Sequence, residues 1–329
     1  MNPKLFLWLL TAILLVSINL AEAQQQKKIS RIGVLDFATP EVTSIRNEAF
    51  RQGLRDLGYI EGQNIIIEYR SAREKSDRLP ELAAELVQLK EDVIVAQNTV
   101  VGRALAAATR TIPVVNAGGG DLVASRLAAS LARPGGNVTG LTSLTVDLNV
   151  KRLELLKEIL PRLIRVAVLR SPANLASGQA LKEMQAAASS LKMELQILKI
   201  NVADDLPGAF DTATKGRTGA VIGMPDATGI FLANMKQIST QAIRKKMPTM
   251  FPSSHYVEFG ALLSYAANDA ALWYRAATYV DKILKGAKPA ELPVEQPTKF
   301  ELLINLKTAK QIGLTIPPNV LARADRVIK

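Results

Sequence analysis

The sequence predicts an α/β fold of two doubly wound parallel-sheet lobes with a hinged cleft between them. Short apolar runs of strand length alternate with amphipathic stretches of helical spacing, which is typical of parallel sheets joined by right-handed crossovers. Two such sets follow one another, with a first crossing between lobes expected near Leu141, and a third segment returns from Ala261. We therefore assign 24–142 and 261–329 to a first lobe and 143–260 to a second.

In the first set, turns and caps bound each predicted element. Thr39 and Pro40 suit the N-cap and the first position of a helix, and Gly58 suits its end. A turn of three glycines and Asp121 separates the fourth strand from the last helix. The predicted strands are 32–37, 64–69, 93–96, 112–115 and a run after Asn137, and the predicted helices are 40–57, 77–90, 97–110 and 122–131.

The second set and the returning segment repeat this pattern. They begin with an amphipathic helix over 144–160, which Pro161 stops. A proline-containing stretch over 286–297 is predicted to be a surface loop rather than a linker between domains. The predicted strands are 165–170, 194–200, 219–224, 247–251, 261–267 and 299–306, and the further helices are 175–191, 204–215, 230–245, 269–285 and 306–313.

The N-terminal residues predict export. Residues 1–23 combine Lys4, an apolar core and small residues around Glu22, which indicates a secretory signal peptide cleaved after Ala23. The alternative is a membrane anchor, but the apolar run is shorter than the ~20 residues that a spanning helix needs. The chain has no cysteine, so neither a disulfide nor a lipid-modified N-terminus is expected. We expect a soluble mature protein in a periplasm-like compartment.

The composition argues against catalysis and against nucleic-acid binding. With one histidine, His255, and no cysteine, the chain has almost nothing from which to build Ser-His, Cys-His or histidine-rich metal sites. The glycine turn does not match the GxGxxG pattern of dinucleotide sites. The formal charge of +11 comes from dispersed Lys and Arg, which predicts a solvated basic surface. We therefore predict no enzyme, no cofactor, no metal and no nucleic-acid partner.

The predicted ligand site lies in the loops that follow the strands, because open parallel sheets bind ligands beyond the carboxyl ends of their strands. Glycines there let the backbone approach a ligand, and hydroxyls, amides, helix N-termini and a carboxylate suit a small polar or zwitterionic molecule. For Asp121 and Asp226, capping and turn formation are the alternative. Phe37 and Tyr265 are candidate apolar walls, and Tyr265 is equally compatible with the core. The predicted ligand-binding residues are Thr39, Asn98, Thr99, Gly118, Gly119, Asp121, Asn174, Ser177, Asp226, Thr228 and Tyr256.

Several segments carry a resemblance that covers essentially the whole chain after residue 23. They include AFRQGLRDLGYIEGQNIIIEYR (49–70), SLARPGGNVTGLT (130–142) and RAATYVDKILKGAKPAELPVEQPTKFELLINLKTAKQIGLTIPP (275–318). They resemble the substrate-binding proteins of ABC transporters, in the family that includes the tryptophan/tyrosine-binding type.

The resemblance implies a type I periplasmic binding fold, two lobes hinged by three crossings with the ligand held between them. It also implies a periplasmic protein that serves an ABC importer and has a permease of the inner membrane as its partner. We expect a monomer. A ligand sensor that docks on a membrane receptor, and a small-molecule enzyme on the same fold, are the alternatives.

Overall fold

The computed structural model of the chain describes residues 29–73, 75–143, 148–172, 177–226 and 230–329, apart from the side chains at 41, 42, 177, 179 and 232. The predicted signal peptide lies outside the described residues. Two sheets, both covered by helices, form two lobes, which confirms the predicted α/β class. None of the described helices combines the length and the apolar character that crossing a membrane requires.

The first lobe is built on a parallel sheet of five strands. They are β1 (Ser30–Asp36), β2 (Ile65–Ser71), β3 (Val93–Ala96), β4 (Val114–Asn116) and β5 (Val138–Gly140). Their order in the sheet is β2-β1-β3-β4-β5. The connecting helices are α1 (Pro40–Asp56), α2 (Leu79–Gln88), preceded by a 3-10 turn at Ser76–Arg78, and α3 (Thr99–Ala108).

The second lobe is built on a sheet of seven strands. They are β6 (Arg165–Arg170), β7 (Glu194–Lys199), β8 (Ala220–Gly223), β9 (Thr249–Phe251), β10 (Leu263–Ala267), β11 (Phe300–Asn305) and β12 (Arg326–Ile328). Their order is β12-β11-β10-β9-β8-β6-β7, and only the β10–β11 pair is antiparallel among the described pairs.

Nine helices follow α3 in the described ranges. They are α4 (Asn149–Ile159), α5 (Ser177–Ser190), α6 (Asp205–Lys215), α7 (Ile230–Ala233), α8 (Met235–Arg244), α9 (Ser254–Glu258), α10 (Asp269–Leu284), α11 (Leu306–Ile312) and α12 (Pro318–Leu321). The single helix predicted over 230–245 is thus two helices, which meet at Asn234.

Apolar layers cover both faces of the first sheet. On one face lie α1 and α10, where Phe50 and Trp273 meet edge to face with ring centroids 6.1 Å apart. Gly53 lets these helices approach closely, because a Cβ there would lie 2.8 Å from the Cβ of Ala277. On the other face lie α2 and α3.

The C-terminal segment divides between the two lobes, which corrects the predicted assignment of 261–329 to the first. Strand β10 pairs with β9, and β11 and β12 extend the same sheet, so these strands belong to the second lobe. Helix α10 and the stretch that follows it return to the first lobe. Leu272 and Trp273 of α10 pack on one face of the first sheet, and Val294 packs in the core on the other face.

Three segments therefore cross between the lobes: β5 to α4, β10 to α10 at Asn268, and α10 to β11. The stretch 286–297, predicted to be a surface loop, lies on the third crossing. It runs beside the first, since Glu295 donates its backbone N–H to Gly140 (2.9 Å) and its carbonyl accepts from the N–H of Thr142 (3.0 Å). These bonds hold the two crossings together.

The helix predicted over 122–131 is absent, and turns take its place in this described segment. The Asp121 carboxylate accepts from the backbone N–H groups of Val123 (2.7 Å) and Ala124 (3.1 Å), which starts a helix-like turn. Arg126 then adopts a positive φ of 58°, and a right-handed helix cannot continue through that conformation. Leu122 and Leu127 are buried in the turns, so the apolar spacing that predicted a helix reflects burial and not helical structure.

Candidate ligand-binding site

The glycine loop after β4 is held against the first crossing by its carbonyl groups. The Gly119 carbonyl accepts from the N–H (2.8 Å) and the hydroxyl (2.5 Å) of Ser143, and the Gly120 carbonyl accepts from the Thr142 hydroxyl (3.2 Å). Gly119 has a φ of 91°, and a Cβ there would lie 2.8 Å from the Cβ of Asn98. Glycine is therefore required at this position on two grounds.

The amide groups of the same loop remain available. The N–H groups of Gly118, Gly119 and Gly120 donate to no residue in the described ranges, and neither does that of Thr99 at the start of α3. A Cβ on Gly119 would lie 3.1 Å from the Thr99 nitrogen, and one on Gly120 would lie 3.5 Å from its hydroxyl. We call Thr99, Gly119 and Gly120 the donor cluster. Adjacent backbone N–H groups at a helix N-terminus suit a carboxylate.

Asn98 fixes the helix that carries this cluster. Its side-chain oxygen accepts from the N–H groups of Val100 (2.9 Å) and Val101 (3.1 Å). This N-cap satisfies the next two donors of α3 and leaves the N–H of Thr99 for a ligand.

Gln97, which the sequence analysis did not single out, fixes the neighbouring loop. Its buried side-chain oxygen accepts from the N–H of Phe37 (2.5 Å) and, more weakly, from that of Ala38 (3.4 Å). The sequence feature that could have identified Gln97 is a polar residue at the end of an otherwise apolar strand.

Thr39 follows at the N-cap position of α1, but its hydroxyl makes no capping bond. Phe37 is 3% exposed and packs in the core of the first lobe.

In the second lobe, Asp226 and Tyr256 lie close together. The Asp226 carboxylate accepts from the N–H of Phe231 (2.9 Å) at the start of α7. Tyr256 is 5% exposed and stacks on Phe251, with ring centroids 4.4 Å apart. Burial raises the pKa of Tyr256 well above its ordinary value, and the charge of Asp226 raises it further. Tyr256 thus belongs mainly to the core, and Asp226 has at least a capping role.

Three of the predicted site residues cannot be placed. Asn174 and Thr228 lie outside the described residues, as does the side chain of Ser177. Asp121 lies on the surface of the first lobe, where its carboxylate caps the turn after the glycine loop. Gly118 and Gly119 lie in that loop beside Asn98 and Thr99, so the structure brings these four predicted residues together.

Arg152 is a buried cation beside the crossings that the sequence analysis missed. It is fully buried, its Nε donates to the Tyr265 carbonyl (2.8 Å), and its Nη1 donates to the Asn149 side chain (2.9 Å). Burial lowers the pKa of Arg152 to about 9, so the guanidinium remains charged at neutral pH. The sequence feature that could have identified Arg152 as buried is its place on the inward face of α4, next to Leu153 and Leu156.

The comparisons with known proteins agree with this architecture. The model of a family described as ABC transporter substrate binding protein matches residues 31–328. The chain belongs to this family.

Relatives of this substrate-binding protein include one described as a tyrosine-binding protein, from Clostridioides difficile (strain R20291). It is 26% identical over 289 residues, which cover 88% of this chain and 82% of that protein. A conserved domain protein from Vibrio cholerae O1 biovar El Tor has a similar crystal structure, with a TM-score of 0.81 and 28% identity over 91% of this chain and 100% of that one. An ABC domain from Streptococcus pneumoniae in complex with L-Trp gives a TM-score of 0.80 and 26% identity, over 91% of this chain and 99% of that one.

Proposed function

We propose that this substrate-binding protein is the periplasmic component of an ABC importer and captures a small zwitterionic ligand, such as an amino acid, between its lobes. The donor cluster carries the proposal. Its unpaired N–H groups lie at the carboxyl ends of the first sheet's strands, and Asp226 follows β8 at the corresponding end of the second sheet. Open α/β sheets bind ligands at these ends.

In this proposal the two lobes recognise opposite charges. The donor cluster binds the carboxylate of the ligand, and the carboxylate of Asp226 binds its ammonium group. Charge-assisted hydrogen bonds to both groups would need both lobes to close on one molecule, and hinge closure is the usual response to such a ligand. The relatives described as tyrosine-binding and as an L-Trp complex support an amino acid as the ligand class.

The protein binds its ligand without converting it, and it is exported. The single histidine and the absence of cysteine support binding without catalysis. The segment before Gln24 supports export with cleavage after Ala23, which mass spectrometry of the periplasmic protein would test. A full-length chain retained in the membrane would overturn export.

A thermal-shift screen of the purified protein with L-amino acids tests the binding proposal. At a hundredfold excess over the dissociation constant, a bound ligand adds about 2.7 kcal/mol of stability, which is a shift of a few degrees. For an active amino acid, the amine without its carboxylate and the acid without its ammonium group serve as matched controls. Both should bind more weakly. Conversion of the ligand, or equal binding of all three, would overturn the proposal.

A further inference from the structure

A second cavity lies entirely within the first lobe. It has a volume of about 780 Å3 and lies between α1, the end of β2 and the segment that leads into α2. The described residues that line it all fall between Asp36 and Glu85. Its volume is within the range of about 300–1,000 Å3 typical of small-molecule pockets. Since none of the lining residues that the structure describes belongs to the second lobe, a molecule could occupy the cavity without contacting the described part of that lobe.

The carboxylates of this cavity are already neutralised. Asp36 pairs with the buried Arg46 (3.0 Å), Glu48 with Arg55 (2.6 Å), and Glu85 with Arg70 (2.9 Å). A further arginine, Arg51, pairs with Glu61 (3.4 Å) and covers the Tyr69 ring, with its guanidinium 4.8 Å from the ring centroid. The acidic groups therefore have little capacity to neutralise additional cations.

Two of the arginines that line the cavity have no such partner. The side chains of Arg73 and Arg78 make no ion pair and no hydrogen bond with any residue in the described ranges. Because the three carboxylates that line the cavity are already paired, these two guanidinium groups are the unpaired charges of its described lining. The neighbouring Tyr69 hydroxyl is buried and lacks an acceptor among the described residues.

The backbone of Arg73 is linked to the first loop through Ser71. The Ser71 hydroxyl donates to the Ala38 carbonyl (2.7 Å) and accepts from the N–H of Arg73 (3.0 Å). Arg78 is half-buried and ends the 3-10 turn directly before Leu79, which packs in the core. Both arginines are thus attached to backbone that the core and the first loop hold in place.

We propose that this cavity binds a small organic anion with two or more negative charges, independently of the cleft between the lobes. The planar guanidinium groups of Arg73 and Arg78 would bind its carboxylate or phosphoryl oxygens, for which the arginine fork is well suited. The concave shape and the volume of this cavity, which is open to solvent, favour a small molecule over a protein surface. The inference concerns a different site from the proposed amino-acid cleft and does not depend on it.

Calorimetric titration of the purified protein with citrate and with glycerol phosphate tests the proposal, with sodium chloride at equal ionic strength as the blank. We expect one molecule to bind per chain, and the double variant Arg73→Ala/Arg78→Ala to weaken binding about tenfold to a hundredfold. The matched control is Arg110→Ala/Arg133→Ala, which removes the same charge at the opposite edge of the same sheet and should bind like the parent. Preference between the two probes identifies carboxylate or phosphoryl recognition.

Four results would overturn the proposal. The first is no heat beyond the sodium chloride blank for either probe. The second is equal loss of affinity in both double variants, which would indicate general charge attraction. The third is loss of amino-acid binding in Arg73→Ala/Arg78→Ala, which would make the cavity part of the cleft. If transport falls while anion binding is unchanged, the arginines form a docking surface for a protein, and the proposal is also wrong.

Discussion

Arg152 donates from Nε to the backbone carbonyl of Tyr265 at 2.8 Å, and this bond joins helix α4 to strand β10. Helix α4 follows the first crossing between the lobes, and β10 precedes the second. Because the side chain is fully buried, the bond links the end of the first crossing to the start of the second through the core of the second lobe.

Replacement of Arg152 by Met is expected to lower the free energy of unfolding by about 2–4 kcal/mol. The methionine fills most of the volume, but Tyr265 and Asn149 lose their donor, and an unpaired buried acceptor costs about 1–3 kcal/mol. Urea unfolding measures the loss. The adjacent Lys151 is half exposed and pairs only with Glu154, so Lys151→Met should cost less than about 1 kcal/mol. Equal costs would contradict the structural role of Arg152.

Gly119→Ala is expected to reduce both stability and ligand affinity. The left-handed backbone costs a non-glycine residue about 1–2 kcal/mol, and the contact with Asn98 adds to this. A shift of the loop would also displace the donor cluster. At Gly120, φ is not positive and a Cβ would meet only the Thr99 hydroxyl at 3.5 Å, so Gly120→Ala should leave the melting temperature nearly unchanged. Similar melting temperatures for both variants would count against this account.

Asp226→Asn separates the two roles of that residue. The amide oxygen can still accept from the N–H of Phe231, so the capping bond survives while the charge is removed. If Asp226 binds an ammonium group, titration calorimetry should show affinity falling by about tenfold to a hundredfold, with little change in the apo melting temperature. Asp121→Asn, at the exposed turn of the first lobe, is the control. Unchanged affinity in Asp226→Asn would exclude ammonium binding by this residue.

The ion pair at the third crossing should depend on pH. Arg275 donates two hydrogen bonds to Glu295, both of 2.8 Å, and this pairing holds the pKa of Glu295 below its ordinary value. Since the pKa is lower in the folded state, the stabilisation is complete above the unfolded value of about 4.3 and disappears as the pH falls through the folded value.

Glu295→Gln should therefore cost under about 1 kcal/mol at pH 7, because both side chains are partly exposed. The difference from the parent protein in urea unfolding should shrink as the pH falls below the unfolded pKa of about 4.3. Glu291→Gln is the control, since its 3.9 Å pair with Lys288 is more exposed. A difference that stays constant down to pH 3 would refute the pairing.

Much of the fold follows from sequence pattern, but sheet membership does not. Alternation of strands and helices gave nearly all the elements, because apolar periodicity records which face is buried. It does not record which sheet accepts a strand. Strand β11 was therefore assigned to the first lobe, and β12 was not predicted as a strand. Only the pairing of β10 with β9 and β11, and of β11 with β12, places both in the second sheet.

The part of the candidate site that neighbouring residues in the sequence form together could be predicted from the sequence. The strand-end position of Asn98, Thr99 and the glycines led directly to the donor cluster. Gln97 and Arg152 were not predicted as site residues, because each hydrogen-bonds to a residue far away in the sequence. Gln97 bonds to Phe37, and Arg152 bonds to Tyr265. The apolar spacing over 122–131 wrongly predicted a helix, because a series of turns can bury two leucines in the same way.

The division of the C-terminal segment has a consequence for the order in which the protein can fold during synthesis. All five strands of the first sheet have been made by Gly140, but one of its apolar faces is covered by α10, which is made only after Asp269. The seven-stranded sheet receives its last two strands even later. A nascent chain of 260 residues would thus expose Val95 and Val115 beside an incomplete second sheet, and such surfaces promote aggregation. Neither lobe can close its core until translation is nearly finished.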